Sequence, residues 1–194
     1  MAPQVRFLFK LFILVCTGVA CTSVPSIEKG TSFYNKDSSQ LLTQGGVTYL
    51  NHQPISGVVY ELFPNGIDTL KITSYSKGYK HGRTQVFYPR HILREDRKYD
   101  MGSKEGLYTG YFPDGSIQFT YPFVNDYYQG TLKEWNPKGL LIRELNYDLG
   151  HEQGSQKVWY DNGKIKSNYV IKNGRRYGLL GTKNCTNVKD SIPF

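Results

Sequence analysis

The side chains of this 194-residue chain that could carry acid–base, metal or nucleophilic chemistry are four histidines, three cysteines and a scatter of carboxylates. The nearest approach to a catalytic pattern is His151-Glu152, which opens like the zinc-protease motif H-E-x-x-H. The position four after the histidine is Ser155, so the second imidazole ligand is missing. His52, His81, His91 and His151 share no repeat position and read as solvated turn residues. No cysteine pair stands at metal-ligand spacing, and neither G-x-x-x-x-G-K-S/T nor G-x-S-x-G occurs. The expectation is a non-enzymatic protein with no catalytic residue, no metal and no cofactor.

Binding chemistry is better represented. Tyr88, Tyr111, Trp135, Trp159 and Tyr160 could stack on sugar rings or a protein partner, or could be the only core such a chain has. Lys164, Lys166, Lys172, Arg175 and Arg176 could meet anionic lipid headgroups. Asp114, Asp126, Asp148 and Asp161 stand in the same turns, which reads as a solvated mixed face.

The elements that position these residues follow from composition. There are 20 Gly, 16 Tyr, 10 Phe and 2 Trp but only two alanines, Ala2 and Ala20. Alanine is the best helix former and glycine among the worst, whereas aromatic side chains suit pleated strands, so a helical protein is disfavoured. Lysine and arginine number 24 against 16 acidic residues, a net charge of +8 with pI near 9.3 and mean hydropathy −0.49. The basic balance permits an acidic partner without naming one.

Residues 1–20 read as a secretory signal peptide: Arg6 and Lys10, then an apolar run from Leu11 to Ala20, too short to span a bilayer. Gly18-Val19-Ala20-Cys21 resembles a bacterial lipobox, with Cys21 as the lipidated residue and Gly18 departing from the aliphatic usual there. Export makes the expected location the cell envelope, as a lipoprotein anchored in the membrane on the outer-membrane or periplasmic face or at the cell surface. Nucleic acid is then not an expected partner. Cys16 leaves with the signal and Cys21 is lipidated, so Cys185 has no partner in the chain; it reads either as a reactive or intermolecular thiol or, the favoured reading, as a small buried hydrophobe. Residues 21–44 form the lipidated N-terminus and a polar tether.

Internal repetition organises the rest. Glycines recur at Gly57, Gly82, Gly106, Gly130, Gly154 and Gly178, spaced by 25 residues once and then by 24. Five units therefore start at 57, 82, 106, 130 and 154, inside a domain spanning 45–178, with residues 179–194 as a C-terminal cap. Five and six residues after each opening glycine stand bulky side chains, among them Leu62, Phe87, Tyr111, Trp135 and Trp159. A turn tripeptide follows, ending in Gly66, Gly115, Gly139 and Gly163 in four units, where a hairpin turn needs positive φ. In the second unit Pro89-Arg90-His91 takes its place, and a looser turn is expected there. Residues then alternate, as in Ile117, Phe119, Tyr121 and Phe123 against Ser116, Gln118, Thr120 and Pro122, up to a second turn at Gly78, Gly102, Asp126, Gly150 or Gly174. Each unit is one β-hairpin. The predicted fold is all-β: an elongated antiparallel meander of about ten strands, preceded by a lead-in hairpin of Val47–Leu50 with Ile55–Tyr60.

The residues Trp159-Tyr160-Asp161-Asn162-Gly163-Lys164-Ile165-Lys166 with Lys172-Asn173-Gly174, and Tyr60 through Gly66 with Tyr75, Gly78 and His81-Gly82, resemble the MORN-repeat variant family, often labelled YwqK-type antitoxins of toxin–antitoxin systems. The lead-in from Gly46 to Gly57 fits the same pattern, so the resemblance covers about residues 46–178. It implies a scaffold that binds and neutralises a protein partner, a toxin in the labelled cases. The signal peptide moves that role toward an envelope-facing, immunity-like one; a structural or glycan- or lipid-associated envelope protein is the other reading.

Overall fold

The computed structural model describes residues 31–37 and 39–181. The signal peptide, Cys21, Cys185 and the cap beyond residue 181 lie outside the described residues. The strands in chain order are β1 (Phe33–Asn35), β2 (Leu41–Gln44), β3 (Val47–Leu50), β4 (Gln53–Pro54), β5 (Gly57–Leu62), β6 (Thr69–Ser76), β7 (Tyr79–Tyr88) and β8 (Ile92–Asp100). They continue as β9 (Ser103–Lys104), β10 (Gly106–Tyr111), β11 (Ile117–Val124), β12 (Tyr127–Tyr128), β13 (Gly130–Trp135), β14 (Leu141–Asp148), β15 (His151–Trp159), β16 (Ile165–Lys172) and β17 (Arg175–Leu179). The main sheet runs β1-β5-β6-β7-β8-β10-β11-β13-β14-β15-β16-β17, with β9 on β8 and β12 on β11. All its pairings are antiparallel except β1 with β5, so the all-β repeat meander holds.

The lead-in differs from the expected hairpin. β3 pairs with β2 and β4 in a separate three-stranded sheet, while β5 joins the main sheet. The edge of β5 is taken by β1, in parallel, through Phe33↔Val58 to Asn35↔Tyr60. Two strands, β1 and β2, thus fall in the stretch read as a polar tether, because a strand of three or four residues leaves almost no alternating signal.

Each unit contains two kinds of turn. In the first, Gly66, Gly115, Gly139 and Gly163 have φ of 67°, 85°, 76° and 78°, and each donates its N–H to the carbonyl three residues back. Only the glycine is left-handed, the pattern of a type I turn closed by a bulge. The extra residue of the first unit lies here: Phe63 N–H reaches Asp68 C=O, one residue farther than Phe112 to Ser116, and the inserted Ile67 is 79% exposed. The second unit corrects the expectation of a looser turn. Pairing continues to Tyr88↔Ile92, and Pro89–His91 form a single 3-10 turn with Arg90 and His91 both left-handed, so the turn is tighter than its counterparts.

The second turns have two left-handed residues each, as type I′ hairpins require: Lys77-Gly78, Met101-Gly102, Asn125-Asp126, Leu149-Gly150 and Asn173-Gly174. Between the two turns the opening glycines, all at positive φ, face aromatic or branched apolar side chains across the ladder: Gly57↔Tyr75, Gly82↔Tyr99, Gly106↔Phe123, Gly130↔Tyr147 and Gly154↔Ile171. From Tyr75↔Lys80 to Thr73↔Thr84 the register advances two residues on β6 and four on β7, a bulge at Gly82 that recurs in later units. The bulge bends each strand over its neighbour, and burial follows: Tyr99, Phe123 and Ile171 are core residues, with Val59 and Leu132 on the same face.

Candidate functional site

The chain presents three repeating features that could engage a ligand: a polar ladder on the face of the buried column, and the two long margins made by the two kinds of turn. The ladder is built from Tyr–Glu–Arg groups. Tyr108 donates its hydroxyl to Glu95 Oε2 at 2.8 Å, and Arg97, whose guanidinium lies 3.9 Å from the Tyr108 ring centre, donates to the same oxygen at 3.1 Å. Tyr121 and Arg143 donate to Glu134 Oε1 at 2.6 and 2.8 Å. Tyr169 and Arg176 donate to the two oxygens of Glu152 at 3.1 and 2.9 Å. Burial, then the adjacent carboxylate, raises the Tyr108 and Tyr121 hydroxyls above the ordinary phenol range; burial and the charge of Glu152 do the same at Tyr169. In each group the phenol therefore donates its hydrogen bond to the carboxylate. Glu61 extends the pattern toward β1, pairing with Lys36 at 2.9 Å and Lys71 at 3.2 Å.

One buried polar side chain replaces an apolar one. Gln156 occupies the repeat position of Leu132 and is fully buried. Its amide donates to Asn146 C=O at 2.7 Å and accepts from Asn146 N–H at 3.1 Å, filling the ladder gap opened by the bulge at Gly154. Gly110 opens no unit and lies in neither turn, and packing explains it: a Cβ there would run into the Phe119 ring, which stacks on Tyr121 at 4.5 Å and meets Tyr108 edge-on at 4.8 Å.

The first-turn margin carries the aromatic residues singled out by sequence. Tyr88, Tyr111, Trp135 and Trp159 are half-buried and Tyr160 is 51% exposed. The structure aligns them along one margin, where Tyr111, Trp135 and Trp159 pair across the ladder with Ile117, Leu141 and Ile165. Tyr88 donates its hydroxyl to Tyr111 C=O at 3.2 Å, linking two units. These rings are distinct from the buried column, which stands at the other end of the same strands.

At the second-turn margin four of the five turns are tied to the unit before them. Gly78, Gly102, Asp126 and Gly150 donate their N–H groups to Ile55, Lys80, Lys104 and Tyr128 carbonyls at 2.7 to 3.1 Å. The residue before each turn glycine, or before Asp126, donates to the side chain that precedes an opening glycine: Lys77 to Ser56, Met101 to His81, Asn125 to Glu105 and Leu149 to Gln129. Sequence reading missed this set, and its signal was a polar residue of varying type directly before Gly57, Gly82, Gly106 and Gly130. His81 therefore joins a repeat position that the other histidines do not share. Exposed apolar side chains crowd the same margin: Leu149 at 63%, Tyr127 at 57%, Met101 at 45% and Val124 at 41%.

Among the described residues no group of three or more His, Cys, Asp or Glu could hold a metal ion, and no helix is long and apolar enough to cross a membrane. A shallow cleft of about 300 Å³ on the small sheet is lined by Gln40, Leu42, Gln44, Tyr49, Asn51 and His52.

These features define the class as a tandem β-hairpin repeat protein with a single-layer sheet. Two stretches, residues 104–125 and 152–173, match the MORN repeat variant family. Each match spans a first turn, at Gly115 or Gly163, together with the strands on either side of it. No curated protein matches the chain. Among solved structures it is similar to TarM (13% identity, TM-score 0.33, covering 57% of this chain and 21% of that one). A point mutant of S. aureus TarM in complex with fondaparinux, α-GlcNAc-glycerol and UDP is matched at 14% identity and TM-score 0.31, over 50% of this chain and 20% of that one. The chain thus spans about one fifth of the length of the solved chains it matches.

Proposed function

We propose that the protein is a non-enzymatic repeat scaffold that binds a protein partner at the cell envelope, held there by a lipid on Cys21. The observation that carries this reading is the placement of apolar side chains on the sheet margins. Among the described residues only six hydrophobic side chains form the core, while Leu149, Tyr127, Tyr160 and Ile165 are each more than half exposed. Exposed apolar rows on a folded chain mark interaction sites. The ladder groups, by contrast, pair with one another and are directed to structure. A YwqK-type antitoxin or immunity role, with a toxin as partner, is the specific form that the family resemblance suggests.

The test is capture from the native envelope. Protein purified from its own membranes is expected to bring down one stoichiometric protein; retention on peptidoglycan or polysaccharide with no protein partner would sink the reading in favour of a structural or glycan-associated role. The anchor is tested separately, because a Cys21→Ala variant should leave the detergent phase for the aqueous one.

A further inference from the structure

The second-turn margin shows how a polypeptide docks on it, since one of its turns is already occupied by the chain itself. At Lys77-Gly78 the small sheet lies against the turn: Thr48 N–H donates to Gly78 C=O at 2.8 Å, and a Cβ on Gly78 would meet Val47 Cγ1, Thr48 O and Pro54 Cβ. Gly78 is buried beneath this cover. The contact combines a backbone hydrogen bond to the turn carbonyl with an aliphatic side chain pressed on a glycine.

Two later turns repeat the same surface. At Gly102 the place of Pro54 is taken by the Tyr79 ring, 3.4 Å from where a Cβ would lie, and at Gly150 by the Tyr127 ring at 3.0 Å. The residues before those glycines, Met101 and Leu149, have φ of 41° and 45°. A left-handed position suits Asn, which stands at the corresponding places 51, 125 and 173, and disfavours a long or branched apolar side chain. Met101 and Leu149 are nevertheless exposed there, beside a tyrosine and a turn glycine. Local conformation disfavours both residue types, and their exposure leaves them open to another molecule.

We infer that the Met101-Gly102 and Leu149-Gly150 turns are paired docking points for an extended apolar segment of a protein partner. Such a segment presses an aliphatic or β-branched side chain on the turn glycine and donates the following N–H to the turn carbonyl, as Val47-Thr48 does at Gly78. The two turns are four strands apart, about 19 Å along the sheet, so one partner with two such segments can engage both. The inference rests on the reading of the sheet as a protein-binding scaffold and names the surface and the chemistry of the partner segment.

The test uses the full chain, with a synthetic peptide of residues 45–55 as the probe. Backbone amide shifts followed by NMR are expected to move at Gly102 and Gly150. Leu149→Asn should weaken the Gly150 response about tenfold or more and leave Gly102 unchanged, with Met101→Asn doing the reverse. Asn accepts the left-handed backbone, so both variants should fold with unchanged or higher melting temperature. Absence of shifts at these turns, or equal binding by the Met101→Asn/Leu149→Asn double variant, would overturn the inference. In the envelope capture, a partner lost by the double variant supports it. A partner retained equally by both proteins sinks these docking points while the scaffold reading stands. If wild type captures no protein, the scaffold reading fails and the peptide titration still decides the docking points.

Discussion

The two long margins of the sheet are made by the same chain in the same repeat, yet they differ in turn chemistry and in what they bury. The first-turn margin uses one left-handed glycine in four of its five turns and carries the large rings, Trp135 and Trp159 among them, half in solvent. The second-turn margin uses two left-handed residues per turn, ties four of its five turns to the preceding unit by backbone hydrogen bonds, and stands next to the buried column of Tyr99, Phe123 and Ile171. Aromatic density therefore does not mark the core in a single-layer sheet. Burial comes from the opening glycines, whose bulges fold each strand over its neighbour and leave space beneath the residue they face.

The sharpest way to break this comparison is to truncate one ring from each site. Phe123→Ala should destabilise by about 3–5 kcal/mol, the usual loss for a buried phenylalanine. Trp159→Ala, on the half-exposed margin, should lose about 1–2 kcal/mol; urea unfolding of both variants checks the order, and equal losses would show that the two sites share the burial. Gly110→Ala should follow at about 1–3 kcal/mol, because the new methyl displaces Phe119 from Tyr108 and Tyr121. Its signature is an altered near-ultraviolet circular dichroism from those rings.

Gly163→Ala tests the first turn alone, since nothing lies near its Cβ and only the φ of 78° opposes the change. The expected loss is about 1–2 kcal/mol, read as a lower melting temperature with no change in the aromatic spectrum.

The smallest expected effects are those of pH. Tyr75, Tyr108, Tyr121, Tyr147 and Tyr169 are raised, by burial first, so the folded state favours their neutral form. Their contribution is complete below the unfolded phenol value near 10 and is lost as pH rises toward the folded values. An alkaline unfolding transition should coincide with phenolate absorbance. On the acid side, burial pushes the Glu61 carboxyl up, but the hydrogen bond from Lys36 and the charge of Lys71 outweigh it and hold it below its ordinary value. That contribution is present above the unfolded value near 4.5 and is lost as pH falls through the lower folded value. With Lys36 largely exposed it amounts to less than about 1 kcal/mol, and Glu61→Gln should flatten that part of the acid limb.

Much of this architecture was legible in the residues. Glycines at a 24-residue period, Pro-x-Gly tripeptides and alternating strands specify hairpins because only a few residue types tolerate a left-handed backbone. The unit boundaries from Gly57 to Gly178 needed nothing more. Even the single 25-residue spacing had a local cause in Ile67. The lead-in was not legible, because β1 holds the edge of β5 through backbone groups that any residue carries, and three residues show no period. Nor were the Tyr–Glu–Arg groups, whose tyrosine and glutamate stand 13 or 17 positions apart and meet only once strands pair.

The amino-acid sequence by itself determined where this chain turns and how often, since φ preference is a property of each residue with its nearest neighbours. Only the tertiary structure decided which side chains are buried, which edge β1 closes and which turns present Met101 and Leu149 to solvent. Those outcomes depend on register, bulge and strand partner, which link residues far apart in the chain and leave no mark on any one of them.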